Sequence, residues 1–345
     1  MILRTAISRF CVATASIVAF LSTAVAGAGD GSTYEIRNQP LPGATPGGIA
    51  MDYIAFDPAT RAVWVPAGST GLVVVVDSAN GALRPIPGFP TAEMGSGDRR
   101  RTVGPSSVTI GGGVAYVGNR ADSTICAFDS SSLVKKSCHK LDSMPDGLAF
   151  VGPKSEVWVT TPRDRSIRIL DARSLDEKAR LTFEGEPEGF AVDAPHGRFY
   201  TNLEDKDLTL AIDLGTRKTL ETWKSGCGEE GPHGLRVDPG SNQLFVACSA
   251  RVEAMSTASG KVLSSIDTGD GVDDIDYSAK THLLYAAAAR AGQLTVARVD
   301  DQGNLTTAAK VSTPEGARNP AVTDKGVVYL TRSKAGELIV ATPSK

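Results

Sequence analysis

The feature that most constrains this chain is a unit of about forty residues that recurs along most of its length. The clearest copy begins at Pro187-Glu-Gly-Phe-Ala-Val-Asp193, where apolar and polar residues alternate, and turns at Ala194-Pro195-His196-Gly197. Gly197–Asn202 and Leu208–Asp213 are again short and rich in β-branched and aromatic residues, with the polar loop Glu204–Asp207 between them. Lys218–Trp223 follows a turn at Gly215-Thr216. One unit is therefore four short strands with no helical period. Repeats of this kind build an all-β fold, a β-propeller of four-stranded antiparallel blades.

Aligned on their first strands, the units start at Tyr53, Ser106, Gly147, Gly189, Gly234, Asp274 and Asn319, which gives seven blades. The separations are 53, 41, 42, 45, 40 and 45, and the long first interval holds an insertion over Phe89–Arg101. Such a loop is expected to be functional or mobile. Six or eight blades would follow only if 84–110 divides differently. The last unit stops near Pro343, one strand short, while Tyr34–Asn38 is a strand with no hairpin partner beside it. That strand is expected to complete the last blade and close the ring, which removes open sheet edges. An aromatic recurs in every second strand: Trp64, Tyr116, Trp158, Tyr200, Phe245, Tyr285 and Tyr329. These are expected to be core packed between blades and not a cofactor platform.

Ahead of the repeats, Arg4 and Arg9 precede an uncharged run from Phe10 to Gly29 that contains Ala24-Val-Ala26. This predicts a signal peptide over 1–26, leaving a single propeller domain over 27–345, periplasmic or secreted. A retained anchor helix is the alternative, but the run is short for a span and rich in Ala, Ser and Thr. After cleavage 34 basic residues face 39 acidic ones, a net charge of −5. There is no basic stripe with interleaved aromatics, so no nucleic-acid partner is expected, and the chain is expected to be monomeric. Arg99-Arg100-Arg101 is expected to be a solvated loop. Four cysteines remain, Cys126, Cys138, Cys227 and Cys248, and the pairings 126–138 and 227–248 join neighbouring strands. A metal site is the competing use, without the spacing of a zinc motif.

Several local motifs carry a resemblance: Pro187–Asp193, Asn202–Lys206, Cys227 through Pro232-His-Gly-Leu-Arg-Val-Asp-Pro239, and Gly316-Ala-Arg318. The chain resembles the bacterial YVTN-repeat β-propeller proteins, which are exported, seven-bladed and similar in fold to quinoprotein amine dehydrogenase β-chains and to propeller-type lactonases. The resemblance spans 34–343. It departs from the name-giving repeat, for which Tyr116-Val-Gly-Asn119 and Tyr200-Thr-Asn202 come closest, and it implies no bound quinone.

In a propeller, the residues just before each first strand ring the channel mouth. Here these are Asp52, Pro105, Asp146, Glu188, His233, Asp273 and Arg318, six of the seven ionisable, with Glu204 on the same face. Convergent polar groups in a concavity make this the expected ligand-binding site. Three readings compete. Crowded carboxylates invite a divalent metal on Asp146, Glu188 and Asp273, with His233 as nitrogen donor. Alternatively His233, Glu188 and Arg318 catalyse a lactonase-like hydrolysis or a lyase reaction, with His233 as base and Arg318 on an oxyanion. The third reading is a solvated, mutually paired rim. The first expectation for function is a binding protein that offers the mouth to a small ligand or protein partner. An electron-transfer accessory role ranks below these. No Gly-x-Ser-x-Gly elbow is present, and the glycine runs do not open helices.

Overall fold

The computed structural model describes residues 33–97 and 100–344, so the expected signal segment 1–26 and Arg99 lie outside the described residues. Seven four-stranded antiparallel sheets follow one another in the chain, with a small two-stranded hairpin between the first and second. Their first strands are Ala55–Asp57, Pro105–Gly111, Leu148–Val151, Pro187–Asp193, Leu235–Asp238, Val272–Ser278 and Arg318–Val322, each within two residues of the start expected from the repeat. Numbered in this order, they define blades 1 to 7. No helix among the described residues is long and apolar enough to cross a membrane.

Second and third strands are buried nearly throughout, as in Ala62–Ala67 and Val73–Val76, whereas fourth strands alternate exposed and half-buried positions, as in Lys135–Lys140. The core therefore lies between blades. Trp64, Val73 and Val75 of blade 1 pack on Val108, Val117 and Phe128 of blade 2, and this pattern recurs around the ring. All seven second-strand aromatics are at most 2% exposed, as a core role requires. Truncating one to alanine should cost about 3–5 kcal/mol. The Asp that ends many third strands accepts a backbone N–H two residues on, at Asp77, Asp129, Asp171 and Asp213, and so fixes the tight turn to the fourth strand.

Blade 7 is completed by Tyr34–Pro40, which runs antiparallel to Glu337–Pro343 from Tyr34 opposite Pro343 to Pro40 opposite Glu337. Asn38 Nδ2 donates to Glu337 Oε1 at 3.1 Å, and Gln39 Nε2 reaches the Gly81 carbonyl of blade 1 at 2.7 Å. The first and last strands of the described residues thus meet in one sheet. Both cysteine pairings form: Cys126 and Cys138 lie directly opposite on adjacent strands, and Cys227 bonds Cys248.

The insertion is the hairpin of Ala92–Met94 and Arg101–Val103. Phe89 anchors it against Phe128, with ring centroids 5.6 Å apart, and Asn119 Nδ2 donates to the Pro90 carbonyl at 3.1 Å. Arg100 pairs with Glu93 at 3.1 Å. Arg100 and Arg101 are exposed, as a solvated segment would be, but Arg101 opens the second hairpin strand, which returns to the channel mouth and places it on a cavity wall.

Candidate functional site

The residues expected at the mouth lie just ahead of the inner strand (Asp52, Asp146, His233) or within its first two residues (Pro105, Glu188, Asp273, Arg318), and the next residue points one step deeper. The deeper positions are Tyr53, Ser106, Gly147, Gly189, Gly234, Asp274 and Asn319. The three glycines are required by close approach. A Cβ on Gly147 would stand 2.2 Å from the Phe190 ring, and one on Gly189 1.9 Å from the His233 carbonyl oxygen. The space at Gly147 is taken by the Phe190 ring, and that at Gly189 and Gly234 by the His233 backbone and Asp274. Tyr53 of blade 1 and Phe190 of blade 4 bring their ring centroids to 5.9 Å, and blades that far apart in a seven-membered ring meet only across the channel. The mouth is therefore a cup with an aromatic floor.

On this floor the charged residues form two connected groups. In the first, Arg120 Nη2 contacts both Asp52 Oδ2, at 2.7 Å, and Asp146 Oδ1. Asn319 Nδ2 donates to Asp52 Oδ1 at 3.0 Å. Arg318 Nη1 donates to Asp273 Oδ2 at 2.6 Å, and its Nη2 stands 4.0 Å from Asp52 Oδ1. In the second, His233 Nδ1 lies 3.0 Å from Glu204 Oε1, and Glu204 is also hydrogen-bonded to Glu188. Below them Arg236 holds Asp274 and Asp276.

These surroundings drive the carboxyl groups apart. Burial, the hydrogen bond to Glu204 and the nearby charges of Asp146, Glu204 and Asp273 raise Glu188 to about 10, so it is a neutral acid at pH 7. Burial pushes Glu204 up, but hydrogen bonds from His233 and Glu188 outweigh it and hold Glu204 below its usual range. His233 is raised: burial opposes its charge, and the Glu204 contact followed by the fields of Glu204, Asp273 and Glu230 overcomes that. Burial, only partly offset by Arg120, lifts Asp146 to about 6, and Asp273 is raised by burial against the pull of Arg318. The proton of the glutamate pair is thus held by Glu188, next to a histidine whose protonated form Glu204 favours. Two carboxyls held in opposite protonation states can serve as acid and base.

The structure brings together all the residues expected at the mouth. Asp52, Asp146, Glu188, Glu204, His233, Asp273 and Arg318 belong to the two groups above, and Pro105 alone has no ionisable side chain. Asp146, Glu188 and Asp273 direct their oxygens to Arg120, Glu204 and Arg318, and among the described residues no group of three or more His, Cys, Asp or Glu side chains is placed to hold a metal ion. Four contributors were missed: Arg120, Tyr53, Asn319 and Ser106. Arg120 follows the second strand of blade 2, in the loop class that opens on the mouth, and it supplies the charge that Pro105 cannot. The other histidines lie elsewhere: His196 pairs with Asp193 at 2.9 Å in a turn, His282 sits 3.2 Å from the Tyr277 hydroxyl, and His139 is on an outer strand.

No protein-family model matches the sequence, and no curated protein matches it. Solved structures match the fold. A chain in "Crystal Structure of Mitotic Checkpoint Complex" superposes with a TM-score of 0.72 at 14% identity, covering 99% of both chains. "Streptogramin B lyase structure" superposes with a TM-score of 0.70 at 13% identity, covering 90% of this chain and 98% of that one. At such identities the likeness shows a seven-bladed β-propeller.

Proposed function

We propose that this chain is an exported propeller, periplasmic or secreted, that binds a small polar ligand in the cup at its channel mouth. The carrying observation is the convergence of rim residues from six blades, with Arg120 from the remaining one, blade 2, above the Tyr53–Phe190 ring pair. A merely solvated rim would not need Asp146 at 5% exposure, or Glu188 held neutral against another carboxylate. The two disulfides fit an oxidising compartment, in keeping with a signal peptide over 1–26 and a YVTN-type propeller. The test is the melting temperature of the full chain against a panel of small neutral and anionic compounds. At least one should stabilise it, and Glu188→Gln or His233→Ala should abolish that stabilisation. If no compound does so, or a protein partner occupies the mouth instead, the reading falls.

A second reading, catalysis of hydrolase or lyase type, is favoured by one observation: the Glu188–Glu204–His233 chain holds a donor and an acceptor side by side. Propellers of lyase function exist, as the streptogramin B lyase neighbour shows. Turnover of the stabilising compound by the unaltered protein would establish it.

A further inference from the structure

We infer that the side of the mouth formed by blades 1, 2 and 7 is a subsite for a small monocarboxylate with a neighbouring hydroxyl or ammonium donor; this rests on the ligand-binding reading above. A cavity of about 210 Å³ opens there, lined among others by Asp52, Arg101, Ser106, Arg120, Arg318 and Ser333. That is below the roughly 300 Å³ at which pockets for drug-sized ligands begin, so its occupant is small.

The lining carries three guanidinium groups and one carboxylate. They come from separate elements: Arg101 from the inserted hairpin, Arg120 from the loop after the second strand of blade 2, and Arg318 from the first strand of blade 7. Arg120 is fixed by Asp52 and Asp146 and Arg318 by Asp273, so their orientation is set before a ligand arrives. Arg101 is exposed and its guanidinium has no acceptor among the described residues. Two buried polar atoms at the same wall also lack a hydrogen-bond partner, Ser106 Oγ and Arg120 Nε, with Ser106 itself 6% exposed. Unpartnered buried donors are costly; each of these atoms exposes less than 1 Å², so an anion in the cavity reaches them only after a small shift of the wall.

A planar carboxylate matches guanidinium donors. Asp52 decides the rest of the ligand. It lines the same cavity, where it would repel a second negative charge, while its oxygens retain lone pairs for a donor on the ligand. Hence the class is a hydroxy or amino monocarboxylate and not a phosphate.

The experiment is calorimetric titration of the full chain with lactate, acetate and inorganic phosphate, in the native form and in Arg101→Ala and Ser106→Ala. Lactate should bind, acetate about threefold or more weaker for want of the donor, and phosphate weaker still. Arg101→Ala should weaken lactate by about tenfold or more without changing the melting temperature of the unliganded protein, since Arg101 is exposed. Ser106→Ala is the second variant and should weaken lactate too. Lactate binding that is absent, indifferent to both changes, or weaker than phosphate binding overturns the subsite. The wider panel separates the two failures: if another compound's stabilisation is lost in His233→Ala but not in Arg101→Ala, the mouth still binds a ligand and only this subsite is wrong.

Discussion

His233 Nδ1 lies 3.0 Å from Glu204 Oε1, which couples the inner edge of blade 5 to the strand-connecting turn of blade 4. His233 is held there by its backbone N–H, which donates to the Ala247 carbonyl at 2.8 Å, one residue before Cys248. Glu204 begins the turn Glu204–Lys206, whose following residue, Asp207, accepts from the Cys227 backbone N–H at 2.9 Å. The Cys227–Cys248 disulfide therefore braces both members of the pair.

Reducing that disulfide should disturb the site, whereas the other disulfide should not. Each closes a loop, of 12 and 21 residues' separation, and removing either should cost about 3 kcal/mol in the chain-entropy description. Only Cys227→Ser with Cys248→Ser should also weaken the ligand found in the mouth. The Cys126–Cys138 pair joins the third and fourth strands of blade 2, away from the mouth. Equal loss of binding in both double variants would contradict this.

Stability should fall from mildly acidic to alkaline pH. Glu188 is raised, so the fold resists its ionisation and loses stability as pH climbs from the ordinary glutamate value towards about 10. Asp146 and Asp274, raised to about 6 mainly by burial, act in the same sense over the lower part of that window. His233, also raised, contributes most below its ordinary value and loses this as pH rises through its folded value. Glu204, lowered, works oppositely, but its loss comes only as pH drops through its depressed value. Unfolding at pH 8.5 should thus be easier than at pH 6 by on the order of 2 kcal/mol. Glu188→Gln should flatten the slope, and a native profile rising with pH would refute the assignment.

Arg120 is the keystone of the first charged group. Arg120→Ala strips the partner from Asp146, itself 5% exposed, and from Asp52, and should cost about 3–5 kcal/mol in denaturant unfolding. Adding Asp146→Asn should recover part of the loss. If the double variant is no more stable than the single one, the cost is packing and not charge.

Deleting 33–40 should leave Glu337–Pro343 as an open edge and uncover the buried cluster of Val328, Leu330, Ile339 and Ala341, on which Tyr34 and Ile36 pack. The expected outcome is association, seen by size-exclusion chromatography at micromolar concentration. A monodisperse truncated chain would show that the closing strand is dispensable.

The ring was legible because its signals are local. Strand period, turn residues and the orphan segment at Tyr34 each sit within a few consecutive residues, and a fixed repeat then places the blades. Asp146, Glu188 and His233 were legible for the same reason, as residues at the starts of first strands. Arg120 was not, because its role depends on reach: its side chain bridges to Asp52 of blade 1 and Asp146 of blade 3 across a neighbour that offers proline. Tyr53 was missed because meeting Phe190 requires knowing the channel's width at that depth. Gly147 and Gly189 looked like strand punctuation, yet they serve the close approach of neighbouring blades, which no single repeat reveals.

The most direct test is the imidazole NMR spectrum of the full chain, recorded with and without the compound that stabilises it. Of its four histidines, only His233 is at the mouth. Ligand should move the His233 signals and leave those of His139, His196 and His282 in place, and in Glu188→Gln it should move none of the four. Shifts confined to the other three, or a His233 signal indifferent to every stabilising compound, would place binding elsewhere and contradict a ligand site in the channel mouth.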